Sequence, residues 1–248
     1  MINLEMANDL IKLGISSSDT LLVHSSLKSL GHIDGGADSV IDTLLHVLCN
    51  GTLLMPALSY DFVTKENPVF SLNDTACCVG AIPEAFRKRE GVLRSMHPTH
   101  SVCGTGINAK KILSNHVLDN TPVGEHSPFA LLPEYGGKIL MLGCGKKPNT
   151  SFHGIEERAG VSYVISKETQ QYTLIDENMN VIKKEYRFHV IKRNGYSQNY
   201  GSFCSECAIK EGRVLCAQSC LIDAKLMWEE ALYNLAKNET YYVKPIKE

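Results

Sequence analysis

The chain has 248 residues, 44% hydrophobic and 21% charged, with a net charge of −2. That length holds one sizeable core or two small ones, and the composition excludes a disordered, fibrous or repeat protein. The near-neutral charge offers no general attraction to nucleic acid or to an anionic membrane, and no window reaches the ~18 uninterrupted apolar residues of a spanning helix.

Residues Met6 to Leu13 read as a short amphipathic helix. Its acidic neighbours Glu5 and Asp9 stand where an export signal needs a basic flank, so a cytoplasmic protein is expected. Asp19 to Ser25 reads as a buried strand with a polar end, and Ala37 to Leu48 as a helix with Val40, Ile41, Leu44, Leu45 and Leu48 on one face. Asn50-Gly51 breaks it before a second strand, Thr52 to Pro56, completing the βαβ pattern of a mainly parallel sheet. Gly80 to Arg89 and Ile107 to His116 are expected as helices, and Ser127-Pro128 as an N-cap with proline at the first helical position. Lys138 to Gly143 is another buried strand, and Asn149 to Arg158 turns into a helix. From about Ser162 the pattern becomes a β-meander: Tyr163 to Ile165, Gln171 to Ile175 and Val181 to Ile191, with a turn at Asp176 to Asn180. Leu221 to Ala236 reads as the last helix and Tyr241 to Val243 as an edge strand. No repeat or linker divides the chain, so residues 1–248 are expected as one domain with a C-terminal elaboration over about 162–248.

Three segments carry polar chemistry. His24-Ser-Ser-Leu-Lys-Ser-Leu-Gly-His-Ile-Asp-Gly-Gly36 lies where a strand hands over to a helix, and its hydroxyls, free N–H groups and glycines suit a phosphate as well as they suit a plain structural turn. It matches neither a P-loop nor a dinucleotide fingerprint. Arg94-Ser-Met-His-Pro-Thr-His-Ser101 sets one arginine and two histidines in eight residues, a set able to hold anions or to form an ordinary surface loop. Asn149-Thr-Ser-Phe-His-Gly-Ile-Glu-Glu157 puts His153 and Glu156 on one helical face, with Thr150 on the face of His153. A histidine there can take a proton from an incoming ammonium while a carboxylate orients its ring.

These segments, together with Gly51-Thr-Leu-Leu-Met-Pro56, Gly80-Ala-Ile-Pro-Glu-Ala-Phe-Arg87 and Ser127-Pro128, resemble the aminoglycoside 3-N-acetyltransferase family over residues 5 to 235. The resemblance implies an αβα sandwich around a mainly parallel sheet with a C-terminal β-meander, antibiotic N-acetyltransferase-like and distinct from the GNAT fold. It implies acetyl-CoA as cosubstrate, no metal, and direct transfer to the amine of an amino sugar in a ternary complex. His24, Ser25, Ser26, Leu27 and Gly31, with Arg94, His97 and Ser101, would line the coenzyme A site. His153 would be the catalytic histidine, with Glu84 or Glu156 as its partner and Thr150 near the thioester.

Alternatives stay open at this level. The acceptor is either an aminoglycoside or a nucleotide-linked amino sugar of surface-polysaccharide (O-antigen) synthesis, to which Lys146-Lys147 and the near-neutral charge lean. A CoA-binding protein without chemistry and a cysteine nucleophile at Cys103 or Cys144 are the rivals. A small-molecule acceptor is the expected partner, with neither nucleic acid nor membrane, and a homodimer is left open. The nine cysteines read as reduced packing thiols; Cys204, Cys207, Cys216 and Cys220 have the spacing of a zinc site, which the short interval between the pairs disfavours.

Overall fold

The computed structural model describes residues 1–199, 205 and 208–246. It begins with α1 (Leu4–Leu13), whose N-terminus is capped by the Asn3 side chain accepting the Met6 N–H at 2.9 Å. β1 (Thr20–Ser25), α2 (Gly36–Val47) and β2 (Thr52–Pro56) form the expected βαβ unit, with the two strands parallel. β3 (Val69–Ser71), α3 (Ala81–Arg87), β4 (Leu93–Arg94), β5 (Val102–Gly106), α4 (Ala109–Leu113) and α5 (Pro128–Leu131) follow, then β6 (Lys138–Leu142) and α6 (Ser151–Ala159). The remainder is β7 (Gln170–Ile175), β8 (Val181–Tyr186), β9 (Tyr196–Gln198), β10 (Ile209–Val214), β11 (Ala217–Asp223), α7 (Ala224–Lys237) and β12 (Val243–Pro245).

The main sheet runs β10-β11-β6-β1-β2-β5-β4. Its centre, β6-β1-β2, is parallel, and each flank is entered through an antiparallel strand, β11 or β5. Five of the seven strands point the same way, so the sheet is mainly parallel in direction. Successive side chains alternate between its faces. Leu21, Val23, Leu53, Met55, Leu140 and Leu142 join α1, α2 and α3 in one core, while Leu22, Leu54, Ile139 and Met141 join α4 to α7 in the other. This is the αβα sandwich. A third, smaller core of Val63, Phe70, Tyr172, Leu174 and Tyr186 lies under a separate sheet, β3-β7-β8.

The C-terminal half departs from expectation in detail. Of the meander, only the β7–β8 hairpin forms as such, closed by the Asp176 carboxylate accepting the Asn178 and Asn180 N–H groups. Tyr163 to Ile165 contributes one bridge, Ile165 to His189, and the second neighbour of β7 is β3, from far earlier in the chain. The last helix does not begin at Leu221: Leu221 and Ile222 belong to β11, and α7 starts behind Asp223, whose side chain accepts the Leu226 N–H at 3.0 Å. The expected edge strand forms one step later, as β12, which pairs with β9 apart from the main sheet. Among the described residues no helix is long and apolar enough to cross a membrane.

This frame positions a site. β1, β2 and β6 end on the same edge, with β2 on one side of β1 and β6 on the other. A crevice at the carboxyl ends of such strands is where open α/β sheets bind ligands.

Candidate active site

A cleft of about 470 Å³ opens at that edge. His24 and Ser25 reach it from the end of β1, Pro56 from β2, and Asn149, Thr150 and His153 from the turn into α6. Three polar atoms in this wall lack a good partner. His24 Nε2 and Asn149 Oδ1 are buried with no hydrogen-bond partner among the described residues, and the Thr150 hydroxyl has only a long contact to the Pro148 carbonyl at 3.5 Å. Burial also pulls His24 down to about 3, so it offers this cleft a neutral ring. Buried polar atoms of this kind are ordinarily partnered by ordered water or by a bound molecule.

His153 is held on both sides. Its Nδ1 lies 2.9 Å from Glu156 Oε2, and its Nε2 lies 2.9 Å from the Gln198 side-chain amide. Tyr163 donates its hydroxyl to the other oxygen of the fully buried Glu156 at 3.0 Å. The partners agree on one tautomer: Nδ1–H donates to the carboxylate, and Nε2 accepts from the amide. In this tautomer Nε2 is the basic nitrogen, and the Gln198 amide covers it.

His153 also lines two further clefts. The larger, about 860 Å³, runs past Tyr60, His100, His189 and Arg193 to Glu66 and Glu168. The other, about 430 Å³, is bounded by Lys147, Lys192 and Arg193, with no aspartate or glutamate in its described wall. Tyr60 and His100 are shared between the first cleft and the larger one.

The sequence-derived residues separate into those at the cleft and those behind it. His24, Ser25, Thr150 and His153 line it, and Glu156 stands directly behind His153. Glu84 does not pair with His153. Burial raises its pKa, but bonds from Arg87, Lys88 and the Cys77 N–H outweigh this and hold it at about 2. Arg94, His97 and Ser101 are also behind the cleft, where an anion site was expected. Arg94 donates to the Leu72, Thr75 and Ala57 carbonyls and to Ser101 Oγ, and lies 4.8 Å over the Phe70 ring. His97 bridges the Thr121 carbonyl to the Thr99 and His100 N–H groups, so it braces the loop rather than facing a ligand. Ser26 bonds Ser29 and the Leu142 carbonyl, Leu27 packs on the core, and Gly31 (φ 86°) backs onto Cys216.

Sequence reasoning missed Tyr60, His189 and Gln198, which stand in no motif and join the clefts around His153 only through the fold. In the Arg94–Ser101 segment it is His100, not His97, that faces the cleft. Of the cysteine candidates, Cys103 is buried in the core of α1 to α3, and Cys144 lines the first cleft with its thiol pushed up to about 12 by burial. Neither environment favours a thiolate. Cys204 and Cys207 lie outside the described residues.

Gly154 lets α6 approach α7. A Cβ there would meet Val123 Cγ1 at 2.6 Å and the Trp228 ring at 2.9 Å. Gly154→Ala is therefore expected to destabilise the fold by about 1–3 kcal/mol through overpacking, despite alanine's helix advantage of about 1 kcal/mol. A melting temperature equal to or above that of the parent would show that this contact relaxes freely.

Comparison with known proteins bears on this arrangement. Residues 22–236 match the family model described as aminoglycoside 3-N-acetyltransferase. A curated relative, the SPbeta prophage-derived aminoglycoside N(3')-acetyltransferase-like protein YokD of Bacillus subtilis strain 168, is 31% identical over 230 residues, covering 84% of this chain and 83% of its own. The solved structure of AAC-IIIb in its binary complex with CoASH superimposes with a TM-score of 0.82 at 25% identity, over 96% of this chain and 97% of the other. A histidine-to-alanine mutant of aminoglycoside acetyltransferase AAC(3)-IVa, in complex with a gentamicin, gives a TM-score of 0.82 at 26% identity, over 98% and 91%.

Proposed function

This chain belongs to the aminoglycoside 3-N-acetyltransferase family, and from that premise we propose that it transfers an acetyl group from acetyl-CoA to the amine of an amino sugar by direct attack within a ternary complex. The carrying observation is His153, fixed by buried Glu156 at the junction of two large clefts. The first cleft would take the coenzyme, with His24 and Asn149 in its wall and Thr150 offering its hydroxyl to the thioester oxygen. The larger cleft would take the acceptor.

In this scheme the acceptor amine displaces the Gln198 amide from His153 Nε2, an atom already set to accept a hydrogen bond. His153 removes a proton as the nitrogen attacks, and Glu156 stabilises the imidazolium through Nδ1–H. The intact His153–Glu156–Tyr163 chain argues against a protein that merely binds coenzyme A.

A second reading of the acceptor rests on one observation. Lys147, Lys192 and Arg193 surround a cleft at His153 without an acid in its described wall, whereas Lys146 is paired with Glu211 at 2.8 Å. Cations there suit an amino sugar that also carries phosphate, such as a nucleotide-linked one. The test is thiol release from acetyl-CoA with gentamicin and with a nucleotide-diphospho-amino sugar: turnover of the first alone removes the second reading, and turnover of the second alone removes an aminoglycoside. Acetyl-CoA at ~100 times its dissociation constant should add about 2.7 kcal/mol to stability. A saturating addition that leaves the melting temperature unmoved would contradict the proposed cosubstrate.

A further inference from the structure

Two consecutive glutamates of α6 each hold an imidazole, and the scheme above uses only the first. Glu157 Oε1 lies 2.7 Å from His189 Nε2 and also accepts the Val123 N–H at 2.9 Å. The His189 ring stands 4.5 Å from the His153 ring and 5.1 Å from that of His100, and it lines both of the outer clefts. Its Nδ1 has no hydrogen bond among the described residues.

Resting on the acetyl-transfer reading, we propose that His189, oriented by Glu157, is a second catalytic base that takes one of the two protons the acceptor nitrogen must lose. The balance requires two destinations. The acceptor arrives as an ammonium, and one proton must leave before nitrogen has a lone pair for attack. The C–N bond then forms, the C–S bond breaks, and a second proton leaves the nitrogen. Sulfur departs as a thiolate and takes up one proton; the other goes to water. His153 carries a proton to the thiolate. His189 Nδ1 receives the other while its Nε2–H passes to Glu157.

The surroundings suit that role. Burial pushes Glu157 up to about 7, so at neutral pH it can both accept a proton and release it. Burial pulls His189, His100 and His97 well below the ordinary histidine range, and their mutual proximity adds to this. The imidazoles thus meet an arriving ammonium as lone pairs rather than as positive charges. Charged groups around the pair include Glu156 on α6, Asp119, Arg187 on the segment of His189, and Lys147, Lys192 and Arg193 at the cleft rims.

The test compares wild type, His189→Asn and Glu157→Gln with acetyl-CoA and either gentamicin or a nucleotide-diphospho-amino sugar, following kcat/KM across the pKa of the acceptor amine. Below that pKa both variants should lose ~10²-fold or more. Above it, where the amine arrives already deprotonated, they should recover to within a few-fold of wild type. A loss that is the same at every pH, or no loss, overturns the inference while leaving acetyl transfer intact. No turnover by wild type with either acceptor overturns both. Should the variants not fold, wild type alone decides: kcat/KM falling tenfold per pH unit from the amine's own pKa downward would mean that no enzyme base removes the first proton.

Discussion

His153→Asn should lower turnover by ~10²–10⁴-fold while leaving the melting temperature nearly unchanged, because the asparagine amide can still donate to buried Glu156. The ring makes few demands on the fold: it is about one-sixth exposed, with a side-chain accessibility of 17%, and its contacts to Glu156, Gln198 and His189 are those of a group facing open clefts. Its removal deletes the basic nitrogen and leaves Glu156 still held by the Tyr163 hydroxyl. The binding walls supplied by His24, Asn149 and Thr150 stay in place, so the Michaelis constant for acetyl-CoA should change little while kcat falls. Turnover within a few-fold of wild type would remove His153 from the mechanism. The parallel variant Glu84→Ala should leave kcat near wild type, because that carboxylate is engaged by Arg87 and Lys88 instead.

Phe152→Ala, one residue away, should do the opposite. Phe152 is fully buried and packs edge-to-face on Tyr242 with ring centroids 4.6 Å apart. Truncating such a ring costs about 3–5 kcal/mol, from lost transfer energy and the cavity left behind. In a chain of this size that is a fall of roughly 6–20 °C in melting temperature. The adjacent positions therefore separate cleanly: calorimetry should register Phe152 and barely register His153, and initial rates on folded protein the reverse. Equal thermal losses for both would mean that His153 is a structural histidine.

The parts of the molecule legible in the sequence are those with local signals. β1, α2, β2 and β6 announce themselves because period-2 and period-3.6 patterns differ over short windows, and the His153–Glu156 spacing needs only helix geometry. Elsewhere local signals misled. Leu221 and Ile222 extend the apolar pattern of α7 backward, yet as neighbours on a strand they enter opposite cores, and Asp223 is the actual cap. Arg94 and His97 look like ligand-binding groups because their type is polar; that Arg94 would be taken up by backbone carbonyls depends on loops brought together only by the fold. The Glu84 pairing was within reach, since Arg87 and Lys88 stand three and four residues on. His189 and Gln198 had no such marker, lying 36 and 45 residues beyond His153.

The small sheet β3-β7-β8 closes over its own core of Val63, Phe70, Tyr172, Leu174 and Tyr186, and its Gln170 and Gln171 form part of the larger cleft's wall. That core holds the sheet together without residues of β1, the strand that carries His24 and Ser25. If the clefts divide as proposed, the coenzyme side would be a fixed chassis and the acceptor wall an interchangeable fitting. Substitutions on β7 would then change what is acylated and leave the coenzyme side untouched.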